Sequence, residues 1–197
     1  MALLPEIEHM DQIENRCLEL LDSGEILGAV EIASRLMALP GLPMHCPYHH
    51  FLVPAALLTA ARMHTDGDRK ALARQLKVAR ERAGIIPGGM CGQFGCCGAA
   101  IGAGVFAAVW LGTTPMSHNG WAAVNAVTAR CLAEVASVEG PRCCKRVTWL
   151  AVRAAVPAAR ELLAVNLGEL SDVHCGHFSK NRECRGESCP FFPKRQG

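Results

Sequence analysis

The sequence predicts an all-α protein: a single helical domain of about seven helices around a central Gly/Ala-rich helix, closed by an irregular Cys-rich tail. Three observations carry that reading. Half of the residues are apolar but only 5% are aromatic, and the apolar mass is Ala, Leu and Val, which suits close-packed helices better than a β-sandwich. Apolar residues recur every three or four positions through most of residues 4–164, the period of helices with a buried side. The stretch GGMCGQFGCCGAAIGAGVFAAVWLG (88–112) passes from a glycine-rich loop with Cys91, Cys96 and Cys97 into a long apolar run. A chain of 197 residues is long enough to bury a real core. The expected organisation is a helical domain over 1–164 with a tail, 165–197, packed on the same domain.

Taken in order, residues 4–21 set Ile7, Met10, Ile13, Cys17 and Leu20 at helical spacing, and Ser23-Gly24 ends that helix. Cys17 falls on the apolar side, as a buried thiol behaving like a small hydrophobe. Residues 25–39 give a second helix. The prolines of PGLPMHCPYHH (40–50) make a loop. It delivers His45, Cys46, His49 and His50 to a third helix, 51–63, apolar almost all round and therefore buried. Asp66 is expected to cap a fourth helix ending at 83, whose outer face is strongly basic; a solvated surface explains it more simply than nucleic acid. The Gly/Ala-rich helix follows from 97 to 112, with Gly98 and Gly102 as a GxxxG pair for close packing. After the turn TTPMSHNG comes a helix over 121–138. Gly140-Pro141 then opens the last, 142–164, with proline at its first position and Pro157 as a kink point.

Composition narrows the function classes. A net charge of +2 gives no dominant nucleic-acid footprint. No Asp, Glu, Lys or Arg occurs between Ile85 and Asn119, yet the densest part, 97–112, is about the minimum of 17 residues for a spanning helix and contains four glycines. A core helix is the better reading, with no membrane partner. The eleven cysteines are odd in number, and the doublets Cys96-Cys97 and Cys143-Cys144 make poor disulfide frameworks. The opening MALLPEIEHMDQIE is acidic and carries no cleavage pattern. A cytoplasmic, reducing location follows as the expectation, where clustered cysteines serve metals or catalysis.

Both doublets fall at helix starts, where unpaired N–H groups and the macrodipole favour anions, lower thiol pKa values and donate to cluster sulfurs. Neighbours on a helix point about 100° apart, so a doublet rarely gives both sulfurs to one site without distortion; Cys97 is preferred in the first pair and the second stays open. The expected proximal site is Cys91, Cys97 and one or both of Cys143 and Cys144. It lies where three helix starts converge. The tail trio Cys175, Cys184 and Cys189 would hold a second cluster or complete the first. His174 and His177 beside Cys175 keep a Cys3His zinc site as the alternative. His45, His49 and His50 would be proton donors or a fourth ligand, with capping as the bland role for His45 and His50; Arg142 would clamp an anion. The sum is an iron–sulfur protein with one or two [4Fe–4S] clusters, acting in redox or sulfur-transfer chemistry on a small-molecule substrate or with an electron-transfer partner protein. The rivals are a zinc-stabilised accessory module for a partner enzyme and a metal-free thiol redox enzyme.

MH-x-P-x-HH (44–50), CG-x-x-G-x-CGAA (91–100), GPRCCKR (140–146) and N-x-x-C-x-G-x-x-CPF-x-P (181–193) together resemble an uncharacterised Cys-rich domain family of anaerobic bacteria and archaea. Its members stand alone or beside methyltransferase and radical-enzyme modules. The resemblance covers about residues 43–193 and implies a shared site without naming a reaction. By position it points to His45, His49, His50, Cys91, Cys97, Cys143, Cys144, Cys184 and Cys189. Cys46 and Cys96 fall at variable positions, which weakens Cys46 as a ligand.

Overall fold

The chain folds as α1 (Ile7–Asp22), α2 (Ala29–Met37), α3 (Tyr48–Met63), α4 (Arg69–Gly84), a single-turn α5 (Met90–Gln93), α6 (Gly98–Leu111), α7 (Trp121–Ala136) and α8 (Cys144–Leu163). Two 3-10 turns follow, Phe178–Lys180 and Gly186–Ser188. The computed structural model describes residues 7–193. The expected first-helix start at residue 4 and the last residues of the tail lie outside that range. The fold is all-α, with no strand among the described residues. The helix beyond the expected seven is α5, a turn inside the stretch read as a glycine loop.

At the centre stands α3, buried on nearly every side, with Tyr48, Phe51, Leu52 and Leu57 fully enclosed. The Gly/Ala-rich α6 lies against it and is half-exposed at Val105, Val109 and Trp110. The contact is backbone to backbone. A Cβ on Gly102 would come within 2.6 Å of the His50 carbonyl oxygen and 2.9 Å of Pro54 Cδ, and one on Gly98 would strike the His50 ring. Pro54 has no N–H to give the His50 carbonyl, which is the carbonyl that Gly102 approaches. The GxxxG pair therefore does what its spacing promised.

Around this pair, α1 buries Ile13, Cys17 and Leu20, and α7 buries Val127 and Cys131, whose thiol donates to the Ala151 carbonyl at 3.3 Å. The cap of α4 is Asp68, whose carboxylate accepts from the Ala71 amide at 2.9 Å. Asp66, expected in that role, instead accepts from Arg62 at 2.7 Å and from the Asp68 amide at 3.1 Å. The reason is Gly67, whose left-handed φ of 62° places the next residue at the helix start. The basic face of α4 is partly matched by acidic α1: Arg80 bridges Asp11 and Glu14, and Arg69 reaches Asp22 at 2.9 Å.

Pro141 does not open α8. Cys143 is the residue before the first turn, in extended conformation, and the helix begins at Cys144. Pro157 faces solvent and α8 runs on through it. Beyond α8 the tail turns back along the bundle. The Leu167 carbonyl accepts from the Ala29 amide at 2.9 Å, Arg153 donates to the Ser171 carbonyl at 3.0 Å, and Phe191 packs 5.2 Å from the Trp149 ring. No helix among the described residues is long and apolar enough to cross a membrane.

Candidate metal centre

The start of α8 divides its cysteine doublet between two pockets. Cys143, with φ −138° and ψ 106°, is extended, while Cys144 is already helical, so the two thiols leave the backbone in different directions. Cys143 lines a small pocket of about 10 Å³ together with Cys175, Cys184 and Cys189. The tail is shaped to bring these thiols in. The Cys175 amide donates to the Phe191 carbonyl at 2.7 Å, and the Cys189 amide to the Gly186 carbonyl at 2.9 Å. Two of the sulfurs accept backbone hydrogen bonds from two residues on: Cys175 from the His177 amide at 3.4 Å and Cys184 from the Gly186 amide at 3.5 Å. Such donors stabilise thiolate and tune a bound metal. His177 packs its ring 6.2 Å from Trp149 and His174 is exposed. The fourth thiol on that lining, beside the tail trio, is Cys143.

Cys144 opens instead onto a cleft of about 950 Å³ that Cys91, Cys97, Cys46, His49 and His50 also line. Cys91 rides on α5 and Cys97 stands at the start of α6. Cys96 is not among the residues of the cleft wall, whereas Cys97 is. Cys46, placed in doubt by the resemblance, lines the cleft, and its amide favours the thiolate form of Cys144.

Neither Cys97 nor Cys143 closes a side-chain cap bond. The amides of Ala99 and Ala100 nonetheless favour ionised Cys97, and those of Arg146 and Lys145 favour ionised Cys143. Burial wins against them: it pushes Cys144 up to about 12 and raises Cys97, Cys143 and Cys175, since an enclosed anion loses its hydration. A soft cation would reverse that balance.

The three histidines have different commitments. His45 accepts from the Cys144 amide at 3.5 Å through Nδ1 and donates through Nε2 to Asn181 at 3.1 Å, so both ring nitrogens tie the tail to the α8 start. His49 donates from Nδ1 to the Cys46 carbonyl at 2.9 Å; burial, then the nearby Lys145 charge, holds it neutral. His50 donates from Nδ1 to the Ile86 carbonyl at 3.1 Å, which leaves its Nε2 lone pair beside Gly98. Arg142 is exposed on the cleft rim.

Two basic side chains beside the doublet, whose residue types suit solvated charge or an anion clamp, are buried instead. Lys145 is 1% exposed, with Nζ donating to the Met37 carbonyl at 3.1 Å and the Tyr48 hydroxyl at 2.9 Å. Burial lowers it to about 8, while Cys144, Cys143 and Cys175 draw it back up. Arg146 is also buried, donates to the Glu139 and Pro141 carbonyls, and lines both pockets. The signal was present: Lys145 shares its helical face with Thr148, Trp149 and Val152, all buried.

Among the described residues, no group of three His, Cys, Asp or Glu is gathered tightly enough to hold a single metal ion; the thiols form two looser sets of four. The donor chemistry of each, all thiol with amide donors to sulfur, is that of soft metals and iron–sulfur clusters. Fold and site thus define a Cys-rich, all-α protein with two thiol-lined pockets sharing one helix start. The chain belongs to DUF5714, a family of unknown function, which it matches over residues 14–192. Neither a curated protein nor a solved structure matches it.

Proposed function

We propose that the chain is an iron–sulfur protein, holding one or two [4Fe–4S] clusters, and that the cleft is where redox or sulfur-transfer chemistry meets a small molecule. The observation that supports this most is the division of the doublet: Cys143 joins Cys175, Cys184 and Cys189, whereas Cys144 joins Cys91, Cys97 and Cys46. Four thiolates are a full ligand set for a cubane cluster. Such a cluster, when bound, supplies one-electron transfer or an iron site for sulfur.

The chain's own residues supply the rest. Buried Lys145 offsets thiolate charge from beneath the α8 start. The amides at the starts of α6 and α8 stabilise the anionic sulfurs. His50, oriented by its bond to Ile86, presents Nε2 as a proton acceptor at the cleft. His45 positions the tail.

A second reading draws on the tail, where four thiols surround a void of about 10 Å³, about the room of one small guest; a single zinc there would draw the four thiols closer than they now stand and make that half structural. Anaerobic purification followed by iron, sulfide and zinc analysis tests both. Iron and sulfide lost from the cleft in Cys91→Ser, and from the tail in Cys184→Ser, is the expected result. A colourless protein carrying only zinc overturns the cluster reading.

A further inference from the structure

The polar supply of the cleft is one-sided. None of its lining side chains is Asp or Glu, and two are arginines, Arg142 and Arg146. Arg146 is 4% exposed; its Nη2 serves two carbonyls, but its Nε–H is buried without an acceptor. His49, 1% exposed, shows the opposite deficiency. Because its Nδ1 donates to a carbonyl, its Nε2 carries the lone pair, and that atom is buried without a donor. Buried polar atoms are ordinarily paired, so two side chains of the cleft lining each keep an unmet need, Arg146 for an acceptor and His49 for a donor. The last turns of α7 and the residues just beyond form a different wall: Leu132, Val135, Ala136 and Val138 are hydrocarbon only.

We propose that the cleft binds a small organic carboxylate with an apolar body and a protic group near the carboxylate. The carboxylate lies on the Arg142 and Arg146 guanidiniums, whose planar forks match it. A hydroxyl, thiol or N–H of the ligand donates to His49 Nε2, and the hydrocarbon follows the α7 wall. A cleft of about 950 Å³ is ample, since pockets for small molecules run from roughly 300 to 1,000 Å³. The inference names the substrate class of the site proposed above; it rests on that reading for what becomes of the ligand, not for its binding.

The test is titration calorimetry of the anaerobically purified protein with 2-hydroxyhexanoate, hexanoate, acetate and hexylamine, beside iron analysis of the same sample. Affinity should fall in that order, by about fourfold per methylene removed between hexanoate and acetate, with no saturable binding of hexylamine. Arg142 is exposed, so Arg142→Ala should fold normally and weaken hexanoate binding on the order of tenfold; Arg142→Lys should recover part of the loss. Hexylamine binding as well as hexanoate, an unchanged Arg142→Ala, or no binding by any probe overturns the inference. Iron without carboxylate binding would sink this inference alone. Carboxylate binding by an iron-free chain would keep it and sink the cluster reading.

Discussion

Replacing Gly102 by alanine should destabilise the protein, although alanine is the better helix former. The added Cβ would lie 2.6 Å from the His50 carbonyl oxygen and 2.9 Å from Pro54 Cδ. Both atoms belong to the enclosed α3 backbone and proline ring, so neither can rotate away. Overpacking of this kind costs about 1–3 kcal/mol, against about 1 kcal/mol of helix propensity gained. Two contacts under 3.0 Å with atoms that cannot rotate away put the cost at the upper end, so the net loss is about 2 kcal/mol, a fall in Tm of roughly 4–8 °C for a chain of this length. Gly84, at the end of α4, is the internal control: a Cβ there meets only Met10 Cε, at 3.7 Å, an ordinary contact. Gly84→Ala should raise Tm by up to about 4 °C. Thermal unfolding followed by far-UV circular dichroism reads both. If Gly102→Ala matches or exceeds the parent Tm, the close approach of α6 to α3 is not what holds the bundle.

Other outcomes follow from the site. In double-mutant analysis of metal content, Cys143→Ser and Cys184→Ser should be non-additive, because they share one thiol set, whereas Cys143→Ser and Cys91→Ser should add; the reverse pattern refutes the division of the doublet. Cys17 is enclosed and its thiol is pushed up to about 12 from an ordinary 9.0, chiefly by burial. The unfolded thiol therefore ionises first, so its contribution is complete below pH 9 and drains away as pH rises from 9.0 towards about 12. Cys17→Ala should flatten that part of the urea-unfolding pH profile and leave metal content untouched; an identical slope in parent and variant would count against the buried thiol. His45→Ala and Asn181→Ala each break the 3.1 Å bond that ties the tail down. Trypsin should then cut faster at exposed Lys180 and Arg182, with no further gain in the double variant; parent-like digestion would show that the tail is held elsewhere.

Much of the architecture was legible because it rests on local periodicity. The all-round apolar character of 51–63 announced a buried helix, and the Gly98–Gly102 spacing announced a close helix contact. Features set by one backbone torsion were not legible. Asp66 and Asp68 are equally good capping residues, and the left-handed turn at Gly67 chooses between them. The glycines of 88–95 masked the α5 turn that carries Cys91. As residue types, Lys145 and Arg146 beside the doublet suit either solvated charge or an anion clamp, and only the period of Lys145, matching the buried face of α8, points inward. Residue spacing left open whether the tail trio stood alone or joined the doublet's site; the path of the tail puts it with Cys143 and away from Cys91 and Cys97.

The division of the doublet has a physical origin that reaches beyond these two residues. Within a helix, neighbouring side chains differ by about 100° and share one backbone regime. At a helix start the residue before the first turn is extended and the next is helical, so their thiols diverge further while drawing on the same unpaired amides. The first turn of α8 therefore acts electrostatically on both pockets, with Lys145 buried beneath it and Arg146 in both walls. Charge removal there should be felt twice. Lys145→Met, which keeps the side-chain volume but drops the ammonium, should weaken metal retention in both thiol sets when the protein is challenged with a chelator. Arg142→Ala, on the rim of the cleft alone, should leave the tail set as resistant as in the parent. Equal losses from the two variants, or a Lys145→Met effect confined to one set, would show that the two pockets do not share the charge of that turn.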